Sequence, residues 1–331
     1  MDSIPVFFCT DNAYTVPTYI AIYSLLKNRR EKYTLEVFIM TSGDFSDSNT
    51  LLLHSLTSKF PSVNIHLIDM GKSYESVTIN NPRISKATLY RLMIPRILRQ
   101  QFPDMKIDRC IYLDSDLVVE GDIIDLYRTD VGDCYVCGVL DRGAASKLSR
   151  NKPSMIELRE SMDIPTLESY INAGVLLLNL KSINANGKDK ELEECGYRSD
   201  FRFNDQDVIN KVLFGGIKTL PPRYNVMAYL LYPEGPDLID LYGKENLKQA
   251  KKRPLIVHYI SKEKPWSLST TYLADKWWKY VRMQNKEIRR KYILPFVQKQ
   301  KLPKKVLLFE KIRTIAKKTG TYSFARKIYL R

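Results

Sequence analysis

Arg109-Cys110-Ile111-Tyr112-Leu113-Asp114-Ser115-Asp116-Leu117-Val118-Val119 is an apolar, strand-like run broken by two carboxylates two residues apart. Unpaired acids in such a place repel each other and desolvate badly unless a cation neutralises them. A hard divalent ion with oxygen ligands is the natural partner, and it could also hold a diphosphate. A solvated acidic turn is the competing reading, because Asp-x-Asp is a common tripeptide. The flanking apolar residues and the strand-end position favour the ion.

Upstream of this run, apolar strands alternate with helical patterns. Strands are expected at Val6–Thr10, Leu35–Thr41 and Val63–Met70. Helices are expected over Tyr19–Lys27, through Ser46–Phe60 and over roughly Ala87–Gln100. Arg109–Val119 then reads as a fourth strand running into the acidic turn. Strand–helix alternation implies a parallel, Rossmann-like α/β sheet. Ligands bind such sheets at the carboxyl ends of the strands, which selects residues 10–14 and 114–116. Further strands are expected at Tyr135–Leu140, Val175–Leu180 and Leu255–Ile260, with a helix at Asp205–Phe214.

Three more polar clusters interrupt apolar segments. His258 stands near the end of Leu255–Ile260, and Lys264-Pro265-Trp266 follows. A lone histidine there is commonly a satisfied core residue. Beside an acid pair it becomes a candidate third ligand, since imidazole suits manganese-like ions. A lysine just past a metal site can neutralise charge growing on a diphosphate. Asn172-Ala173-Gly174 sets an amide and two small residues before a Leu-rich strand. Asn204-Asp205-Gln206-Asp207 opens a helix; an ordinary N-cap accounts for one acid but not for Gln206 and Asp207 as well.

Composition bounds the rest. The 331 residues are 44% hydrophobic and 27% charged, the balance of a globular chain with a sizeable core. The five cysteines are odd in number, and Cys134-x-x-Cys137 lacks a second pair or a histidine, so it reads as buried strand. Met1–Pro5 has no basic and apolar leader pattern, and no apolar run reaches the roughly 18 residues of a spanning helix, so a cytoplasmic or peripheral protein is expected. Of the net charge of +15, +9 falls in residues 301–331, which hold ten Lys/Arg and one acid, Glu310. Residues 304–318 place Leu308, Phe309, Ile312 and Ile315 on one arc with lysines mostly elsewhere, a basic amphipathic helix suited to anionic lipid. A terminal helix docked on the body is the alternative. The body lacks a basic groove motif, so nucleic acid is not expected.

Asp11-x-x-Tyr14, Arg91, Leu113–Asp116, Asn172–Val175, Asp205–Asp207 and His258-x5-Lys264-Pro265-Trp266 occur in the order seen in glycosyltransferase family 8. Over about residues 4–268 the chain resembles bacterial lipopolysaccharide galactosyl- and glucosyltransferases, and more distantly glycogenin. The resemblance implies a GT-A catalytic domain over 1–270; the basic helical segment over 271–331 is expected, from its charge and apolar arc, to anchor to the inner face of the cell membrane. The resemblance also implies transfer of glucose or galactose from a UDP-hexose, with retention, to a glycan or glycolipid acceptor such as a lipopolysaccharide core or capsule intermediate. Asp114, Asp116 and His258 would bind Mn2+, with Mg2+ as the alternative. Thr10, Asp11, Asn12, Tyr14 and Ser115 would lie on the nucleotide, with Tyr14 stacked on uracil. Arg91, Asp141, Asn172, Asp205 and Gln206 would surround the donor sugar, and Lys264 and Ser261 would contact phosphate. Arg91, Asp205, Gln206 and Lys264 would carry catalysis, with Gln206 stabilising the sugar centre rather than attacking it. Two departures stand out: Ser261 replaces the family's usual glycine, and Arg83-Ile84-Ser85 lacks the histidine that relatives often carry. A protein acceptor, or a silent nucleotide-sugar-binding scaffold, are the competing functions.

Overall fold

The structure, a computed structural model, describes residues 3–30, 33–79, 85–198, 201–227, 236–260, 263–301 and 312. The expectations for Arg83, Ile84, Ser261 and, apart from Lys301 and Ile312, the tail 301–331 therefore lie outside the described residues. Among the described residues, no helix is long and apolar enough to cross a membrane.

Among the described residues, ten strands form two sheets: β1 Ser3–Thr10, β2 Thr34–Thr41, β3 Val63–Asp69, β4 Arg109–Leu113, β5 Leu117–Val119, β6 Val136–Leu140, β7 Ile171–Asn179, β8 Ile217–Thr219, β9 Val226–Met227 and β10 Ile256–His258. The seven-stranded sheet runs β3-β2-β1-β4-β7-β6-β8, and a three-stranded sheet runs β5-β10-β9. Strands β1, β2, β3 and β4 are parallel, as the alternating pattern predicts. Successive residues of β1 enter opposite cores: Val6 and Phe8 on one face, Phe7 and Cys9 on the other. Period-two alternation with both faces covered is why β1 reads as an unbroken apolar run. The order reverses at β1, so the carboxyl ends of β1 and β4 flank the crevice where ligands bind in open α/β sheets.

Four expectations are corrected. The large sheet is mixed rather than parallel, because β7 runs antiparallel to both β4 and β6. The 109–119 run is two strands in two sheets. Asp114 N–H still donates to Gly174 O at 2.8 Å, in line with β4 on β7, whereas the Asp116 carbonyl accepts from Tyr259 N at 2.9 Å and β5 pairs with β10. The acid pair is thus where the chain leaves one sheet for the other. Strand β7 begins at Ile171, so Asn172, Ala173 and Gly174 lie inside it, and Leu180 opens a helix that Asn179 caps by accepting from Ser182 N at 3.2 Å. The expected helix over 87–100 is a 3-10 helix, Lys86–Met93, continued by the α-helix Ile94–Gln101. Pro95, which cannot donate a backbone hydrogen bond, sits in that junction.

Helices beyond 271 join the same core. Trp277, Tyr280 and Val281 from Ala274–Arg282, with Ile288, Ile293 and Val297 after it, pack into the cluster that holds β5 and β10. Glu120, just past β5, receives hydrogen bonds from Lys276 at 2.6 Å and Tyr280 Oη at 2.6 Å.

Candidate active site

At the β1–β4 crevice, Asp114 and Asp116 face one imidazole. His258 Nε2 lies 3.5 Å from Asp114 Oδ2 and 3.1 Å from Asp116 Oδ1. The bend at Ser115–Asp116, between β4 and β5, brings both carboxylates to His258 at the end of β10. The three side chains offer ligand atoms within 4.8 Å of one another. Gly174 makes the approach possible, since a Cβ there would lie 2.2 Å from His258 Cε1 and 2.5 Å from Asp114 Oδ2.

Each acid has its own cation. Arg91 Nη2 is 2.8 Å from Asp114 Oδ1, and Lys264 Nζ donates to Asp116 Oδ2. Burial pushes the Asp114 carboxyl up, but Arg91, with His258, outweighs it and holds the pKa below the usual value. Burial likewise opposes ionisation of Asp116, and Lys264 and His258 overcome it by more. His258 shows the mirror image: burial disfavours its cation, yet Asp116 and Asp114 raise its pKa to about 9. The site is therefore a nest of ionised groups at the mouth of a largely apolar core.

Arg91 is the hinge between this nest and the helix Asp205–Val212. It is 7% exposed. Its Nη1 donates to Ala173 O at 2.7 Å, its Nε is 3.1 Å from Asp205 Oδ2, and its guanidinium lies 4.2 Å from the Tyr112 ring centroid. Thr88 Oγ1 donates to the other oxygen of Asp205 at 2.7 Å. Gln206 Oε1 accepts from Asn172 Nδ2 at 3.0 Å and Ala173 N at 3.1 Å, and its Nε2 faces Asp141 Oδ2 at 3.4 Å. Asn204, before this helix, has φ 49°, the strained left-handed side of the map, as functional turns often do.

On the nucleotide side, Asp11 Oδ1 accepts from Tyr14 N at 2.9 Å, and the Tyr14 ring meets Trp266 edge-on at 6.1 Å. Burial raises the Tyr14 pKa, as do Asp116, Asp11 and Asp114. Not every predicted residue turns into the crevice. The Ser115 hydroxyl points into the fold, donating to Cys9 O at 2.9 Å and accepting from Thr18 at 2.8 Å. Thr10 Oγ1 lies 2.8 Å from the same Thr18 hydroxyl. The Asn12 side chain is tied to a neighbouring loop, donating to Asp44 O at 2.9 Å and accepting from Ser46 N at 3.0 Å.

Sequence reasoning missed Asn225, Tyr112, Tyr170 and Thr88. Asn225 carried a readable signal: like His258, it is a polar residue set against a buried apolar run, here Val226–Met227.

The profile of Glycosyl transferase family 8 matches residues 5–270, and the chain belongs to that family. Its fold is that of the GT-A glycosyltransferases. The galactosyltransferase LgtC, solved in complex with donor and acceptor sugar analogs, superposes with a TM-score of 0.67 at 20% identity, covering 87% of this chain and 100% of that one. General stress protein A of Bacillus subtilis (strain 168) is 26% identical over 279 residues, 82% of this chain and 91% of that protein. Lipopolysaccharide 1,2-glucosyltransferase of Escherichia coli (strain K12) is 29% identical over 191 residues, 57% of this chain and 53% of that enzyme.

Proposed function

We propose that this chain is a retaining hexosyltransferase that moves glucose or galactose from a UDP-hexose to a membrane-associated glycan, such as a lipopolysaccharide core or capsule intermediate. One observation carries the reading: Asp114, Asp116 and His258 converge on one point beside Lys264 and Arg91, at the strand ends where open α/β sheets bind ligands. The glycan acceptor is supported by the lipopolysaccharide enzyme among the relatives.

Two carboxylates and an imidazole fit Mn2+, with Mg2+ as the alternative, because the donors are hard oxygens plus a nitrogen that manganese accepts. Such an ion supplies Lewis-acid neutralisation of a diphosphate leaving group. The chain's own residues do the remaining work. Lys264, beside Asp116, offers a second positive charge to the departing UDP. Arg91 keeps Asp114 ionised and aimed, because its other hydrogen bonds to Ala173 and Thr88 fix the guanidinium plane. Asp11 and Tyr14 provide an edge and a ring for uracil, and Asp141, Asn172 and Asp205 offer acceptors and donors to the sugar hydroxyls.

Gln206 is a poor nucleophile. Its oxygen already accepts two hydrogen bonds, and an amide is weakly nucleophilic at best. That favours attack of the acceptor hydroxyl on the same face as the departing diphosphate, with Gln206 as a fixed dipole beside the electron-poor sugar carbon.

UDP release from a panel of UDP-sugars, with Mn2+ and with EDTA, beside Asp116→Ala, tests the reading. Mn2+-dependent release favouring one hexose and lost in the variant is expected. A protein that neither binds nor turns over any sugar nucleotide would overturn it. The surface anchor expected for 271–331 has a separate test, confined to the residues beyond the core-packed helices. Deleting 302–331 is expected to release the protein from acidic liposomes while turnover on a soluble acceptor persists; binding that survives the deletion removes the anchor from the proposal.

A further inference from the structure

Asn225 is 0% exposed and lies between the ionised nest and the Gln206 helix without belonging to either. Its Oδ1 is 3.0 Å from His258 Nδ1, and its Nδ2 donates to Asn172 Oδ1 at 2.8 Å. Asn172 passes the contact on to Gln206, and Gln206 to Asp141. Five side chains thus form one hydrogen-bonded file from imidazole to carboxylate.

The direction of that file is fixed by backbone groups, whose polarity is not open to choice. Gly174 N–H can only donate, so the Asn172 atom it meets at 3.1 Å is the oxygen. Asn225 must then present its NH2 to that oxygen, and hence its own oxygen to His258. An oxygen there requires a proton on His258 Nδ1, whether or not Nε2 also carries one. At the far end, Ala173 N–H donates to Gln206 Oε1 at 3.1 Å, which turns Nε2 toward Asp141. Two adjacent amides of β7 therefore set the orientation of every side chain between His258 and Asp141.

We propose that Asn225 is a positioning residue: its amide holds the His258 imidazole with a proton on Nδ1 and Nε2 aimed at Asp114 and Asp116, and couples that orientation through Asn172 to Gln206. The metal part of this assignment rests on the reading of Asp114, Asp116 and His258 as a metal site. Groups that fix the outer nitrogen of a ligating histidine set its tautomer and ring angle, and their loss commonly weakens metal affinity by about 10–100-fold.

The test uses the full chain, labelled with 15N-histidine; its three histidines make the spectrum simple, and His258→Gln assigns the signal. Metal-free wild type is expected to show a slowly exchanging Nδ1–H resonance from His258. Asn225→Ala is expected to lose it and, in titrations with Mn2+ followed by electron paramagnetic resonance, to bind the ion about 10–100-fold more weakly. Asn225→Asp keeps an acceptor for His258 but no donor for Asn172, whose oxygen cannot turn away from Gly174. It is expected to keep the resonance and the Mn2+ affinity while kcat falls about tenfold. That split between the two variants is what a general packing defect would not produce.

A folded Asn225→Ala that keeps both the resonance and the affinity overturns the proposal. If that variant does not fold, loss of the resonance in Asn225→Asp overturns it instead. Failure of wild type to bind Mn2+ sinks the metal reading separately, and the resonance then decides the role of Asn225 alone.

Discussion

Asp114-Ser115-Asp116 and Asp205-Gln206-Asp207 are the same pattern, and their surroundings push them in opposite directions. The first pair lies where the chain bends from β4 into β5, and both acids reach His258. The second opens a helix, where residues two apart point to nearly opposite sides. Asp205 turns to Arg91 and Thr88, while Asp207 turns inward to Tyr170 Oη at 2.5 Å and Phe203 N at 2.6 Å. Cations overcome burial at Asp114 and Asp116, so both pKa values fall. Burial wins at the second pair: Asp205 shifts upward despite Arg91, and Asp207 rises to about 6. Carboxylate spacing alone therefore says little about metal chemistry. The backbone type beneath it, and the cations it meets, decide.

The sharpest way to break this contrast is to neutralise one acid of each pair. Asp116→Asn should abolish Mn2+-dependent UDP release, with a loss of about 10³-fold or more if the ion and Lys264 carry the charge stabilisation. Asp207→Asn should leave Mn2+ affinity within about threefold, since Asp207 faces the core, away from the nest. Equal loss of Mn2+ binding in both variants would dissolve the distinction. Arg91 is the next lever, because it serves one acid from each pair. Arg91→Met should cost about 3–5 kcal/mol in urea unfolding, as it strands the buried Asp205 carboxylate without its cation and removes one cation from the half-buried Asp114. A cost below about 1 kcal/mol would mean that neither carboxylate depends on it.

Much of the nest was legible because polar residues at strand ends are conspicuous. Asp114, Asp116 and His258 each interrupt or end an apolar run, and those interruptions mark the crevice. What was hidden depends on chain segments far apart. The acid pair also switches the chain between sheets, which only the separate partners β7 and β10 reveal. Nothing local shows that β7 is antiparallel, since a strand buried on both faces reads alike in either direction. Asn225 can be seen locally as a polar residue before a short apolar run, but its partner His258 lies 33 positions later. Ser115 shows the converse: a hydroxyl between two ligand-like acids suggests a binding role, but the bend between β4 and β5 turns it inward to Cys9 and Thr18.

The pH response sharpens the comparison further. Asp207 has a folded pKa of about 6 against an ordinary 3.8. A raised carboxyl pKa favours the folded state while the group is protonated in both states. That contribution is fully present below about pH 4 and is lost as pH rises through 6. The depressed pair, Asp114 and Asp116, acts with the opposite sign: its contribution is present above about pH 4 and lost as pH falls through the folded pKa values. Unfolding free energies of wild type and Asp207→Asn, measured from pH 4 to 7, should therefore diverge in the variant's favour as pH rises, by up to about 3 kcal/mol. The constant cost of losing one acceptor for Tyr170 or Phe203 shifts the whole curve but not its slope. Parallel curves would place Asp207 in an ordinary carboxylate environment and remove half of the contrast.

The mildest test probes the contact that lets the first pair converge at all. Gly174 has no unusual backbone angle, so its absence of a side chain matters only through space. An alanine Cβ would meet the His258 ring and Asp114 Oδ2 well inside van der Waals distance. Both groups are held from behind, His258 by Asn225 and Asp114 by Arg91, so neither yields freely. Gly174→Ala should cost about 1–3 kcal/mol of stability, the usual range for overpacking. Its effect on Mn2+ binding should be disproportionate, because the two displaced groups are two of the three proposed ligands. At the second pair Gln206 meets β7 through the Asn172 amide and Ala173 N, not through the groups the new Cβ would strike, so Gln206 should keep its place. A variant with weakened Mn2+ binding, modest instability and an unshifted pH slope from Asp207 would show that the two acid pairs are separable modules on one crevice. Loss of both signatures together would show that Arg91 and β7 bind them into a single unit.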